Sequence, residues 1–142
     1  MAVIQSSENP DDRIELLVRI VDRMNTRERT SRIGGALFEA LISAYGSQGR
    51  FEEALRTYET IIGRVDGPCL RAILLACGQA SPARWFDAAT ILHTSDIVEG
   101  TSGPGKIDQI ALSNAIIACS KADQFEEGLN LLSLYGIPDA ER

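Results

Sequence analysis

The sequence predicts an all-α fold, a short right-handed α-solenoid of about three helix-turn-helix hairpins with an extra N-terminal capping helix. The first observation is an internal repeat, because Phe51-Glu-Glu-Ala-Leu55 returns 74 positions later (125 − 51) as Phe125-Glu-Glu-Gly-Leu129. A weaker copy, Phe86-Asp-Ala-Ala89, lies between them. Each copy follows a helix that ends in small residues, at Ala44-Tyr-Gly46, Ala76-Cys-Gly78 and Ala118-Cys-Ser120. Helix-turn-helix units that recur every ~35 residues are typical of helical-repeat proteins.

The length and the apolar pattern predict one helical-repeat domain over residues 11–142, after a disordered tail over residues 1–10. The repeats are expected at about 35–66, 67–107 and 108–142. No apolar run approaches the ~20 residues that cross a bilayer. The first ten residues lack the charged and apolar regions of a secretory signal, and no organelle transit peptide is visible.

The N-terminal helix is predicted to begin at Asp11-Asp12, since acidic residues stabilise a helix N-terminus. An apolar stripe follows at helical spacing, formed by Ile14, Leu16, Leu17, Ile20, Val21 and Met24. This segment resembles the second helix of a repeat that has no first helix, which is why we expect it to act as a cap. A basic connector follows over residues 25–32.

Arginines near this connector form a candidate contact patch for phosphate or for an acidic partner. They are Arg23, Arg27, Arg29 and Arg32. The alternative, which we favour, is a solvated loop whose charge is offset by Glu28 and nearby acidic residues.

Caps and turn residues delimit the three hairpins. The predicted helices are residues 31–45 and 51–62, residues 69–79 and 82–93, and residues 108–119 and 125–135. Gly46 and Gly49 end the first of these, because glycine accepts the left-handed backbone of a helix C-terminus. Ser81-Pro82 is a helix start signal, with serine as the cap and proline at the first helical position. With the N-terminal helix, the sequence predicts seven helices.

No residue pattern predicts an enzyme, a metal site or a cofactor. The three cysteines lack metal or disulfide spacing and are expected to be small buried side chains in a reducing compartment. His93, the single histidine, is not expected to bind metal or to catalyse. Gly100 to Lys106 begins like a phosphate-binding loop, but Ile107 stands where Ser or Thr would hold magnesium and no strand precedes it, so a linker is expected.

The net charge of −6 lies entirely in the repeats. Residues 1–33 carry six Arg and six acidic residues, and the remainder of the chain therefore holds the whole excess of negative charge. Nucleic-acid-binding domains usually carry a basic face, since phosphate contacts dominate their affinity. The acidic repeats favour a protein partner.

Three segments resemble the pentatricopeptide-repeat (PPR) family: Phe38 to Leu55, Asn114 to Leu129, and Gly136-Ile-Pro-Asp139. The resemblance covers about Gly35 to the C-terminus, with a degenerate second copy. Tetratricopeptide and other helical-hairpin repeats share the architecture and are the near alternative. The PPR resemblance implies single-stranded RNA binding in a mitochondrion or chloroplast, one base per repeat.

Aligned on that motif, the base-reading positions of the first helices are Glu39, Arg71 and Ser113, with partner positions near Cys69 and Asp108. The family pattern prefers Asn, Thr or Ser in the first helix and Asp, Asn or Ser at the repeat end. Only Ser113 and Asp108 conform, and they belong to different base contacts. Glu39 would direct a carboxylate towards a phosphate-rich ligand.

Two hypotheses follow for function. The favoured one is a non-catalytic module that acts as a protein-interaction scaffold or small subunit of a larger organellar assembly. The alternative is a single-stranded RNA-binding module in organellar RNA processing or translation. Localisation to an organelle rests on the resemblance, and without it a cytoplasmic protein is expected.

Overall fold

The computed structural model describes residues 10–61, 67–99 and 107–137, and this part of the chain is helical and without strands. The helices are α1 Pro10–Arg23, α2 Thr26–Arg29, α3 Arg32–Ser47, α4 Phe51–Glu59, α5 Gly67–Gln79, α6 Trp85–Glu99, α7 Gln109–Lys121 and α8 Phe125–Tyr135. The prediction of an all-α helical-repeat solenoid is confirmed. Residues 1–9 of the predicted tail, the loop over 100–106 and the boundary after Ile137 lie outside the described residues, whereas Pro10, predicted as the end of the tail, begins α1.

The helices pack as three hairpins, α3 with α4, α5 with α6, and α7 with α8. The first helices contact one another in the order α3, α5, α7, and each second helix also contacts the first helix of the next hairpin. Helix α1 packs on α3 in the same way that α4 packs on α5 and α6 on α7. It therefore occupies the place of a second helix from a preceding unit, as the sequence predicts.

One backbone hydrogen bond closes the turn of every hairpin and defines which positions are equivalent. The donors and acceptors are Arg50 N to Tyr45 O at 2.9 Å, Arg84 N to Cys77 O at 2.8 Å, and Gln124 N to Cys119 O at 2.8 Å. Within the first and third turns, Gly49 (φ 73°) and Asp123 (φ 59°) take the left-handed backbone at the same position. The second helix of each hairpin begins with the next residue, which is Phe51, Trp85 or Phe125.

This equivalence corrects the predicted alignment of the second repeat. Trp85, not Phe86, stands at the position of Phe51, and Ala88 stands at the position of Ala54. Both alanines are fully buried, whereas Phe86 is 67% exposed.

Two boundaries in the second hairpin also differ from the prediction. Ser81-Pro82 is not a helix start but part of the turn, with a cis peptide bond, and α6 begins at Trp85. The helix continues past His93 to Glu99, because no glycine or proline interrupts it before Gly100.

The basic connector is itself partly helical, which makes eight helices in the described residues instead of seven. The short helix α2 starts with a capping box, in which Asn25 Oδ1 accepts from Glu28 N at 2.8 Å and Glu28 Oε1 accepts from Asn25 N at 2.9 Å.

Small residues at the helix crossings let the first helices approach closely. Gly46 of α3 faces Ala76 of α5, and Gly78 of α5 faces Ala118 of α7. The three cysteines are buried, as predicted, and form no disulfide. Burial raises the pKa of the Cys77 thiol to about 12, which keeps it protonated and unreactive. Within the described part of the chain, no helix combines the length and apolar character needed to cross a membrane.

Candidate functional site

The predicted base-reading position of the second repeat is occupied by an ion pair. Arg71 lies on α5, and its Nε and a terminal nitrogen donate to Asp108 Oδ2 at 2.8 and 2.7 Å. The other oxygen, Oδ1, accepts from the backbone amides of Ile110 and Ala111 at 2.9 and 3.0 Å, which caps α7. Both carboxylate oxygens of Asp108 are therefore engaged within the protein.

The electrostatics of the site stabilise this pairing. Burial by itself would raise the pKa of Asp108, but the Arg71 guanidinium and the two capping amides outweigh burial and lower it. The pKa of Arg71 is raised by its hydrogen bond to Asp108 and by the field of Asp108, and Glu39 adds to this effect. Arg71 and Asp108 thus neutralise each other, and Glu39 acts on Arg71 through its electric field.

Ser113 and Cys69 take no part in these interactions. The Ser113 hydroxyl is exposed and donates to Ile110 O of its own helix at 3.0 Å. Cys69 is buried, with its thiol 3.5 Å from Gly35 O. Of the predicted positions, Ser113 is the one that presents a neutral polar side chain to solvent.

Loss of the Asp108 side chain is expected to weaken α7. Asp108→Ala removes the cap and should lower the free energy of unfolding by about 1 kcal/mol, measured by urea denaturation near neutral pH. Asp108→Asn retains the cap and loses the ion pair. Because the folded-state pKa of Asp108 is depressed, the pair stabilises the fold above the ordinary carboxyl pKa, and this contribution is lost as the pH falls through the folded-state value.

The stability difference between the wild type and Asp108→Asn should therefore shrink in acid. Ser113→Ala is the control, since its hydroxyl bonds within its own helix, and it should show no such pH dependence. A difference for Asp108→Asn that persists unchanged at low pH would contradict the assigned pairing.

Arg29, one of the four arginines of the candidate basic patch, makes contacts within the protein. Arg29 donates to Val21 O at 2.9 Å and Met24 O at 3.2 Å, and its guanidinium lies 5.9 Å from the centre of the Phe38 ring. These carbonyls belong to the end of α1, so Arg29 acts as a C-terminal cap. The remaining three arginines are exposed: Arg23, Arg27 and Arg32.

His93 makes a structural contact. Its Nδ1 hydrogen-bonds the Tyr135 hydroxyl, and the two ring centres lie 5.4 Å apart, which joins α6 to α8. No cluster of side chains suited to a metal ion occurs in residues 10–61, 67–99 and 107–137.

Sequence reasoning missed a series of arginines that links successive hairpins. Arg50 lies 3.8 Å from Asp11 at the start of α1, and Arg84 lies 3.1 Å from Glu52 at the start of α4. Each arginine precedes the aromatic residue that begins its own second helix and also binds the acidic residue three positions later. The signal in the sequence is an Arg-aromatic-x-acid pattern, present in the first two hairpins, with Gln124 in place of arginine in the third.

An apolar groove of about 380 Å³ lies on the last hairpin, between α7 and α8. It is lined by Ile116, Ser120, Asp123, Gln124, Phe125, Gly128, Leu129 and Leu132. The Phe125 side chain is 70% exposed there, although the equivalent Phe51 is only 4% exposed. No sequence signal distinguished these two phenylalanines, since each begins the same five-residue motif.

Comparison with known families agrees with the geometry of the first hairpin. The PPR repeat model matches residues 37–64, which include most of α3 and the whole of α4. The first hairpin therefore carries a PPR repeat, and this match supports a short, degenerate member of the PPR family. No curated protein and no solved structure matches it significantly. A PPR repeat supports the general role of a helical-repeat binding module.

Proposed function

We propose that this PPR protein is a protein-binding module, a scaffold or small subunit of a larger organellar assembly. The observation that carries the proposal is the ion pair at the second repeat. A base that entered this position would have to displace Asp108 from Arg71 and from the N-terminus of α7, where its two oxygens are already satisfied. Breaking such a pair leaves a charge without its partner, which is costly in a partly buried site.

The charge and size of the chain support the same proposal. Three repeats offer at most three base contacts of ~1–3 kcal/mol each. The repeats are acidic, so the long-range field opposes the RNA backbone instead of attracting it.

RNA binding is the second candidate, favoured by the family and by Ser113 together with the exposed arginines near α2. A titration of the intact chain into fluorescently labelled random single-stranded RNA, followed by anisotropy at about 0.1 M salt, separates the two. We expect no saturable binding up to tens of micromolar protein, roughly −6 kcal/mol of binding free energy. Saturable binding that Ser113→Asp weakens would overturn the proposal and support the RNA-binding function.

A second experiment tests protein binding directly, by affinity capture of partners from the native source after ribonuclease treatment. A protein-binding module retains its partners under these conditions, whereas partners bridged by RNA are lost. Recovery of no partner from ribonuclease-treated extract, together with recovery from untreated extract, would contradict the proposed function.

A further inference from the structure

The groove between α7 and α8 corresponds to a surface of the first hairpin that is buried. Through the shared turn hydrogen bond, the groove residues Ile116, Ser120, Phe125 and Gly128 are equivalent to Ile42, Gly46, Phe51 and Ala54. All four residues of the first hairpin are buried. They are covered by the next hairpin, whose first helix, α5, packs against both α3 and α4.

Two contacts define how the second hairpin packs on this surface of the first hairpin. A Cβ placed on Gly46 would lie 2.8 Å from Ala76 Cβ, so α5 crosses α3 in direct contact at this point. The guanidinium of Arg84 lies 4.7 Å from the centre of the Phe51 ring. Cation–π stacking of this kind is favourable, and here it accompanies the ion pair between Arg84 and Glu52.

On the last hairpin, the equivalent aromatic and acidic side chains are exposed in the part of the chain that the structure describes. Phe125 and Glu126 stand where Phe51 and Glu52 stand in the first hairpin, and both are exposed. Asp123 adds negative charge at the groove. The surface is therefore complementary to an apolar helix that brings an arginine or lysine to the rim.

Building on the proposed function, we propose that the groove between α7 and α8 docks an α-helical hairpin of a partner protein, which stacks as the next unit of the solenoid. Its first helix lies in the groove, and an arginine or lysine ahead of its second helix stacks on Phe125 and pairs with Glu126. Ser120 replaces the glycine found at Gly46, so a helix that approached α7 as closely as α5 approaches α3 would need a glycine where α5 has Ala76.

A second copy of the chain fits this surface less well. The described part of the chain begins with α1, which packs as a second helix, whereas the groove is equivalent to a surface covered by a first helix. Head-to-tail stacking of copies would therefore place the wrong type of helix in the groove.

A hairpin taken from this chain provides the probe. The peptide spans residues 67–95 with Ala76→Gly, carries a fluorophore and is titrated in reducing buffer with the intact protein. We expect one-to-one binding with a dissociation constant of tens of micromolar, weakened about tenfold or more by Phe125→Ala and about fivefold by Glu126→Lys. Phe86→Ala is the matched control, because Phe86 is 67% exposed but does not line the groove, and it should bind as the wild type does.

The same hairpin fused after Arg142 through a flexible linker reaches an effective concentration of about a millimolar, so docking is detectable even if affinity in trans is weak. We expect slower amide hydrogen exchange in α8 of the fusion, and Phe125→Ala should reduce that protection by about the factor by which it weakens peptide binding. Unchanged exchange in the fusion, or peptide binding that Phe125→Ala leaves unaltered, would overturn the proposal. Self-association of the intact protein that Phe125→Ala abolishes would identify a second copy as the occupant and overturn it as well. If docking fails while capture of protein partners survives ribonuclease, the proposed function stands and its contact surface lies elsewhere.

Discussion

Replacement of Ala118 with leucine is expected to lower the free energy of unfolding by about 1–3 kcal/mol. Ala118 of α7 is fully buried, and its Cα lies 3.8 Å from the place where Gly78 of α5 would carry a Cβ. Three added carbon atoms have no space at this crossing unless α5 and α7 separate. Urea or thermal denaturation measures the loss.

Ala40→Leu is the matched control for this substitution. Ala40 lies on α3 and is exposed, so the same change in volume meets solvent, and leucine is nearly as good a helix former as alanine. Stability of Ala118→Leu equal to that of the wild type would show that α5 and α7 do not approach as closely as described.

Replacement of Gly46 with alanine is expected to destabilise the fold, although alanine is the better helix former by up to ~1 kcal/mol. The new Cβ would lie 2.8 Å from Ala76 Cβ and 3.2 Å from Ala76 Cα, which requires α3 and α5 to move apart. We expect a net loss of about 1–2 kcal/mol, since overpacking of a close contact costs more than the propensity gain.

Two further variants test whether the loss of stability comes from the contact with Ala76 or from replacing a helical glycine with alanine. Gly128→Ala, on α8, should leave stability unchanged or raise it, because its Cβ would meet Cys119 and Ile116 at 3.7 and 3.8 Å, ordinary contact distances. Ala76→Gly should partly restore the Gly46→Ala protein, so that the two changes are less than additive. Additive losses would contradict a direct contact between these residues.

The helices were predictable from sequence because their signals are local. The apolar spacing, the glycine at Gly49 and the acidic residues after Phe51 each act within a turn or two of backbone. The predicted alignment of the second repeat was wrong because the turn around Ser81-Pro82 is longer than the turns of the other hairpins. The motif was therefore aligned on Phe86, the residue of the same type as Phe51. The turn hydrogen bond from Arg84 N to Cys77 O assigns Trp85 instead, and this bond depends on backbone geometry that composition does not encode.

The residues of the candidate site could be predicted from the sequence, but the contacts between them could not. Arg71 and Asp108 were both expected near a base, yet their pairing joins residues of different hairpins and appears only when α5 and α7 are packed together. Arg29 was counted with the exposed arginines because its binding to the carbonyls of Val21 and Met24 requires the chain to turn back on α1. Phe51 and Phe125 each begin a Phe-Glu-Glu motif, and their different exposure follows from the packing of α5 on the first hairpin.

We propose that this protein contacts another protein through its last hairpin and does not bind RNA along its first helices. The most direct measurement is site-specific photocrosslinking of the intact chain in extract from its native source, with benzophenone-bearing phenylalanine in place of either Phe125 or Ser113. We expect a crosslinked protein from position 125 that resists ribonuclease, and no RNA adduct from position 113. An RNA adduct at position 113, with no protein adduct at position 125, would contradict it.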